Sequence, residues 1–269
     1  MSRLASIVVP CHDNLLYTAL CLQSIERHTP WPHEVIVVAN GCTDGTAEWS
    51  EGRGARVVRS PVNLGFAGGA NLGLAAARGD VVVVLNNDAL ATPGWLGGLL
   101  GALDRDPAAG IAGPRSNWVS DDQIIAPVPY AEAPSEALDR FAADRAREHA
   151  GQAREVARLS GLCMAIRRAL MEAIGGFDPR FEVGNLEDDD LCLRARLAGF
   201  RLLVADDAFV HHFGHKTFDI VPEDYDELLQ ENTMRYRMKW DLPLDRDPRG
   251  LLPGRPFDPA RDRVPLPGR

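Results

Sequence analysis

The sequence predicts an α/β fold in a single domain, built on a mostly parallel sheet with helices on both faces. Three observations carry that expectation. Short β-branched runs at residues 5–9 and 35–38 flank a segment, 14–28, whose apolar residues recur at helical spacing. The alternation returns with a run at 55–59, a stretch of small helix formers over 66–78 and the run at 80–85. These runs are apolar on both faces, as in parallel strands covered by helices; a sheet with one wet face would alternate. Ligands of such sheets bind outside the carboxyl ends of the strands, so the residues after each run carry most of the functional information.

The rhythm lapses after Ile111. Pro127, Pro129 and Pro134, followed by Ala/Arg/Glu-rich residues 136–157, predict a surface excursion with one helix, suited to a lid or acceptor loop. Regular structure resumes with a strand ending at Arg167 and a helix that runs to Ile174 and is stopped by Gly175 and Gly176. A helix over 186–198 ends at Gly199, the runs RLLVA and AFVHH supply two last strands, and 223–240 reads as a final helix. The expected organisation is a folded domain over 1–240, comprising a nucleotide-binding half (1–114), the excursion (115–157) and a second half (158–240). Residues 241–269, with seven prolines from Pro243 to Pro267, are expected to be extended or solvated.

A chain of 269 residues with 45% hydrophobic content can bury one substantial core. Its net charge of −9 gives no general attraction to nucleic acid or anionic lipid, and no local basic run offsets it. Neither a targeting segment nor an apolar stretch approaching the roughly 20 residues of a membrane span is visible, so a cytoplasmic protein is expected. Cys11, Cys21, Cys42, Cys163 and Cys192 form no CxxC pair and are odd in number, which argues for reduced thiols over a disulfide framework or structural zinc.

Three clusters can carry chemistry. Asn86, Asn87 and Asp88 follow a fully apolar strand; a carboxylate there can hold a divalent cation that neutralises a diphosphate, although a polar turn with Asp88 capping the next helix explains it equally from the tripeptide alone. Glu187, Asp188, Asp189 and Asp190 crowd the first turn of an amphipathic helix. The helix dipole accounts for one or two acids at about 0.3–1 kcal/mol each, and four in a row repel one another. A carboxylate aimed from a rigid helix end suits a general base that deprotonates an alcohol. His211, His212 and His215 lie just past a strand, where at most one of the adjacent pair can face a site because side chains alternate; a single histidine there would more often be a structural hydrogen bonder. The glycine-rich loop with Gly65, Gly68, Gly69 and Gly73, flanked by Asn63 and Asn71, would let backbone approach a ligand, but it does not follow the first strand as a dinucleotide fingerprint does.

Together these motifs resemble the family-two glycosyltransferases with a GT-A fold, over about residues 5–240. The matching elements are SIVVPCHDN, VIVVANGCTDGT, NLGFAGGANLG through LNND, SGLCMAIRR with GGFDPRF, EDDDLCLRA and HHFGHKTF. The subgroup resembled contains many rhamnosyltransferases of bacterial surface polysaccharides. The resemblance implies a Rossmann-like sheet and an inverting transfer of a sugar from a UDP- or dTDP-linked donor to an acceptor hydroxyl of a carbohydrate or glycoconjugate. It implies that Pro10, Asp13, Asn40, Asn63, Gly65, Gly69, Asn71, Asn86, Asn87 and Gly161 line the nucleotide-sugar site. Asp88 and His212 would hold Mn²⁺ or Mg²⁺, His212 being preferred to His211 by the offsets of Gly214 and Thr217. Asp188 matches the catalytic base, with Glu187 beside it in the catalytic pair. Two positions depart from the pattern: Ala39 stands where many relatives have an aspartate, and Asn86 replaces the first acid of the Asp-x-Asp motif. A catalytically silent nucleotide-binding scaffold and a sugar nucleotidyltransferase are the alternatives from other classes; the second normally carries a basic glycine-rich loop after the first strand, which PCHDN lacks. A homodimer, if one forms, is expected through the final helix.

Overall fold

The structure, a computed structural model, describes residues 4–119, 121–182, 184–214 and 225–268. The first half follows the predicted alternation: β1 (Ala5–Cys11), α1 (Leu15–His28), β2 (His33–Asn40), α2 (Thr46–Gly52), β3 (Arg56–Ser60), α3 (Gly65–Ala76) and β4 (Val81–Leu85). A short β5 (Ala89–Ala91), α4 (Trp95–Arg105) and β6 (Ala109–Ser116) come next, then the excursion with α5 (Glu136–Glu148) and β7 (Ala153–Val156). The second half runs through β8 (Cys163–Arg167), α6 (Arg168–Ile174), α7 (Glu187–Leu197), β9 (Arg201–His212), α8 (Tyr225–Trp240) and α9 (Pro259–Asp262).

The strands form one sheet in the order β3-β2-β1-β4-β8-β6-β9-β5, with β7 also on β9. Strands β1 to β4 are parallel to one another, β8 runs antiparallel to both β4 and β6, and β6 and β9 are parallel. In β4 all five side chains are at 0% exposure, because Val81, Val83 and Leu85 enter one core layer while Val82 and Val84 enter the other. Helices α1 and α4 cover the first face, and α3, α6 and α7 the second. Fully burying a Val or Leu is worth about 1.5–3 kcal/mol, so this one strand anchors both layers.

Two expectations change. The runs RLLVA and AFVHH are one strand, β9, which stays extended through Asp206 and Asp207 and absorbs them as a register shift between Pro114 and Arg115 of β6. An irregularity of this kind lengthens a strand locally without ending it. Residues 241–268 are mostly exposed, but they run back over the body and are fastened to it at a few points. Val264 bridges Gly175, with its N–H on Ile174 O at 3.0 Å, and Leu266 is buried in the second core layer. Arg255 lies 4.7 Å over the Trp240 ring and pairs with buried Asp262. Proline richness removed donors from this segment, but Leu266 and Phe257 supply the apolar area that fastens it. The excursion likewise returns to the sheet: Leu138 and Ala142 of α5 are buried beside Phe209, and β7 pairs with β9.

Candidate active site

The carboxyl ends of β1, β2 and β3 form the first wall of the site. Asp13, at φ 53, turns the chain out of β1, and its Oδ1 accepts the N–H groups of Thr43 (2.6 Å) and Asp44 (3.2 Å) beyond β2. Asn40 spends its whole amide on the following loop: Nδ2 donates to Asn63 Oδ1 (3.0 Å) and Gly65 O (2.9 Å), and Oδ1 accepts from Leu64 N (2.9 Å). Gly65 takes φ 69, a conformation that favours glycine, to start α3 over this clasp. A Cβ at Gly69 would lie 3.0 Å from Asn40 Nδ2, so that glycine is there for helix-to-strand packing. Pro10 is buried within β1, paired with Val38. The structure thus brings Pro10, Asp13, Asn40, Asn63 and Gly65 together, with Asn40 and Asn63 shaping the loop.

Two of the expected nucleotide-sugar residues are turned away from that wall. Asn71 is buried and reciprocally bonded to Phe177, Nδ2 to its carbonyl (2.7 Å) and Oδ1 to its N–H (2.8 Å), so it clamps α3 to the 175–177 turn. Asn87 is buried too, its Nδ2 donating to Thr18 Oγ1 of α1 at 3.0 Å. Their amides satisfy backbone and hydroxyl groups that would otherwise be unpaired in the core. Asn86 is different: its Oδ1 is buried with no hydrogen-bond partner, at the open end of β4.

Asp88 and His212 meet directly, Oδ1 to Nε2, at 3.2 Å. The His212 ring is oriented by its Nδ1–H, which donates to Trp118 O at 2.8 Å, and its backbone is fixed by a reciprocal pair with the Asn117 side chain. With Nδ1 carrying a hydrogen, Nε2 meets the carboxylate in one of two ways: as the N–H of a protonated ring donating to Asp88 Oδ1, or as a lone pair that shares a bound cation with it. Burial pulls the His212 pKa down, but the hydrogen bond and charge of Asp88 outweigh it and raise the pKa above the ordinary value. The pair supplies one carboxylate oxygen and one imidazole nitrogen, a donor set that would suit a divalent ion. Among the described residues no three His, Cys, Asp or Glu side chains converge into a preformed metal cage. His211 faces the opposite way, bonded to Tyr130 Oη at 2.8 Å, and burial lowers its pKa to about 4. His215 and Thr217 lie outside the described residues.

The four acids of α7 have four different surroundings. Asp188 Oδ2 accepts the Gly161 N–H and Oδ1 the Asp189 N–H, both at 2.8 Å. Glu187 is buried with Oε2 unpartnered, and burial followed by the Asp188 charge raises its pKa well above the usual range. Asp189, also buried, lies 3.1 Å from Arg158 Nε, and burial lifts it to about 7. Asp190 accepts from Arg194 Nε (2.8 Å) and Trp240 Nε1 (2.9 Å) and meets Lys239 at 2.5 Å. The repulsion that four adjacent acids imply is therefore relieved by neutralising some and pairing others.

The turn at 160–162 joins the two carboxylate sites. Its Leu162 O accepts Asn86 N (2.9 Å) while its Gly161 N–H holds Asp188, so one short segment spans from the end of β4 to the start of α7. The approach to α7 passes through Asn185 and Leu186, both with positive φ, a costly geometry for leucine. Asn232 of α8 braces it by donating to Phe181 O and Gly184 O, both at 2.8 Å. Asn117, Trp118 and Asn232 were invisible to motif reading because their roles depend on contacts across the fold; the available signal was Trp118 itself, a loop tryptophan 53% exposed. A concavity of about 630 Å³ lies elsewhere, between α8 and the 3₁₀ turn Pro179–Phe181, and its lining charges include the ion pairs Arg180–Asp178 and Arg235–Glu182.

The model of "Glycosyl transferase family 2" matches residues 6–175. The chain is 31% identical over 223 residues to the N-acetylglucosaminyl-diphospho-decaprenol L-rhamnosyltransferase of Mycobacterium tuberculosis, covering 73% of this chain and 72% of that protein. It is also 27% identical over 216 residues to an uncharacterized protein of Sinorhizobium fredii, 73% of this chain, but spans 23% of that longer protein. The crystal structure of GalNAc-T7 with UDP, GalNAc and Mn²⁺ superposes with a TM-score of 0.62 at 14% identity, covering 78% of this chain and 44% of that one, a likeness of fold. No helix among the described residues is long and apolar enough to cross a membrane.

Proposed function

The chain belongs to glycosyl transferase family 2 and has its GT-A fold, and from that premise we propose that it is an inverting transferase moving a sugar from a UDP- or dTDP-linked donor to an acceptor hydroxyl in polysaccharide or glycoconjugate synthesis. The observation that carries the reading is the pairing of Asp88 with His212 at 3.2 Å, tied through the 160–162 turn to Asp188. The rhamnosyl activity in the name of the mycobacterial relative favours a deoxyhexose donor and a lipid-diphosphate acceptor.

In this mechanism Asp13, the Asn40–Asn63 clasp and Pro10 border the base and ribose, and Asn86 Oδ1 accepts from a donor hydroxyl. Asp88 Oδ1 and His212 Nε2 would hold Mn²⁺ or Mg²⁺, which supplies charge neutralisation for the departing diphosphate. Asp188, oriented by the Gly161 and Asp189 N–H groups, accepts the proton of the acceptor hydroxyl as its oxygen attacks the anomeric carbon. Glu187 stands beside it at the start of α7, where burial raises its pKa and so weakens the negative charge it would place near the attacking oxygen. Trp118, exposed beside His212, offers an apolar ring face to a sugar.

The test is a thermal-shift panel of UDP, dTDP, GDP and their common sugars with and without Mn²⁺, followed by product analysis with the stabilising donor. Ligand at 100 times its dissociation constant adds about 2.7 kcal/mol to a folded state that alone binds it. A metal-dependent shift with a uridine or thymidine nucleotide, lost in Asp88→Ala, is expected. Folded protein that no nucleotide stabilises would sink the proposal and favour a silent scaffold.

A further inference from the structure

We propose that Cys11 and Cys42 form a thiol–disulfide modification site that controls the nucleotide wall of the molecule. The control it exerts rests on the donor-site reading above; the disulfide itself does not. Cys11 closes β1 and Cys42 lies two residues past β2, and their Sγ atoms are 3.9 Å apart. Both thiols are woven into the loop. Cys42 Sγ donates to Cys11 O (3.2 Å) and accepts from Asp13 N (3.2 Å), while Cys11 Sγ donates to Val38 O (3.3 Å). The two strands are held in register beside each other, Cys11 opposite Ala39, so the pair meets without a chance encounter of loops.

Cys42 is the accessible member, partly exposed where Cys11, Cys21, Cys163 and Cys192 are buried. When Cys42 ionises, the Cys11 S–H 3.9 Å away can donate to its sulfur; that shared bond lowers the Cys42 pKa and, with burial, raises the Cys11 pKa, giving an attacking and a resolving thiol. Burial raises Cys21, Cys163 and Cys192 and keeps them inert. With a peroxide as oxidant, the Cys42 thiolate attacks one oxygen, the O–O bond breaks, and the leaving hydroxide takes a proton to become water. Cys11 sulfur then attacks the Cys42 sulfenic sulfur, the S–O bond breaks, and hydroxide departs with the Cys11 proton as a second water. Two thiols lose two electrons and the peroxide gains them.

Closing the gap to the roughly 2.05 Å of a disulfide moves each sulfur by about 1 Å. Oxidation removes the hydrogen that Cys42 donates to Cys11 O and shifts the sulfur that accepts the Asp13 N–H, and Asp13 in turn holds Thr43 and Asp44. The chain through Asn40 and Gly41 shifts with them, so the oxidised form presents a distorted nucleotide wall.

The test treats the full chain with hydrogen peroxide, alkylates it, and maps its peptides by mass, with UDP and dTDP thermal shifts in Mn²⁺ recorded before oxidation, after it and after dithiothreitol. A Cys11–Cys42 cross-linked peptide lacking two hydrogens is expected, with the other three cysteines alkylated only after unfolding. Nucleotide affinity is expected to fall on the order of tenfold, to return with dithiothreitol, and to be insensitive to peroxide in Cys42→Ser and Cys11→Ser. Sulfenic or sulfinic Cys42 without a cross-link overturns the site. A cross-link that leaves nucleotide binding unchanged overturns the control of the pocket. Reduced protein that binds no nucleotide overturns the donor reading and the control with it, while the peptide map still decides the disulfide.

Discussion

Asp88 and Asp190 are both withdrawn from solvent, at 2% and 0% exposure, yet their surroundings differ in kind. Asp190 is compensated on every side: Lys239, Arg194 and the Trp240 indole converge on it, and Arg194 goes on to the carbonyls of Ile174 (3.0 Å) and Gly176 (2.7 Å). Asp88 meets a single histidine, and no lysine or arginine pairs with it among the described residues. Burying a charge is costly unless it is paired, so a fully paired acid holds elements together, whereas an under-compensated one gains from a cation brought in from outside. The contrast separates architecture from chemistry within one sheet.

The largest effect should come from breaking the compensated side. Asp190→Ala leaves Arg194 and Lys239 facing a void, and urea unfolding should show a loss of about 3–5 kcal/mol. Asp188→Asn should leave the unfolding midpoint nearly unchanged while lowering kcat by roughly 10²–10⁴-fold, read by single-turnover kinetics; an equal loss of stability would make Asp188 another structural acid. Asp88→Ala should do the reverse of Asp190→Ala, costing little stability while abolishing the metal-dependent nucleotide shift of about 2.7 kcal/mol at saturation. Asn71→Ala leaves the buried N–H and C=O of Phe177 unpaired, costing about 1–3 kcal/mol without altering nucleotide affinity.

The smallest effect belongs to Glu187. Its folded pKa is raised by burial, so between its ordinary value of 4.5 and the raised one the folded state binds more protons than the unfolded state. Stability should therefore fall as pH rises through that window. Glu187→Gln, close in shape to the protonated acid, should change stability at pH 5 by under about 1 kcal/mol and flatten that slope in thermal melts across pH. A steeper slope in the variant would show that Glu187 is ionised in the folded protein.

Much of the fold was legible because the hydrophobic period is a local property. The runs 5–9, 35–38, 55–59 and 80–85 fall on β1 to β4 to within a residue, and the helices at 14–28, 66–78 and 186–198 appear within a residue or two of their predicted ends. Asp88 and Asp188 stood out as polar groups where packing gave no reason for them; strand alternation limited the site to one of His211 and His212, and the offsets of Gly214 and Thr217 in the family pattern selected His212. The reading of Asn71 and Asn87 as ligand-facing was the kind of inference local pattern cannot support, since an amide in a glycine-rich segment looks the same whether it meets a nucleotide or the Phe177 backbone.

By itself, then, the sequence determined the α/β alternation, the family and the positions where charge gathers, because these depend on residue type and spacing along the chain. Tertiary structure alone decided which acids are compensated, that β8 runs antiparallel between β4 and β6, that the proline-rich end packs on α6, and that Cys11 meets Cys42. Those outcomes are set by partners distant in sequence, 31 residues apart for the two thiols and 49 for Asp190 with Lys239, and distance in space is what fixes the energy of a charge or the reach of a sulfur.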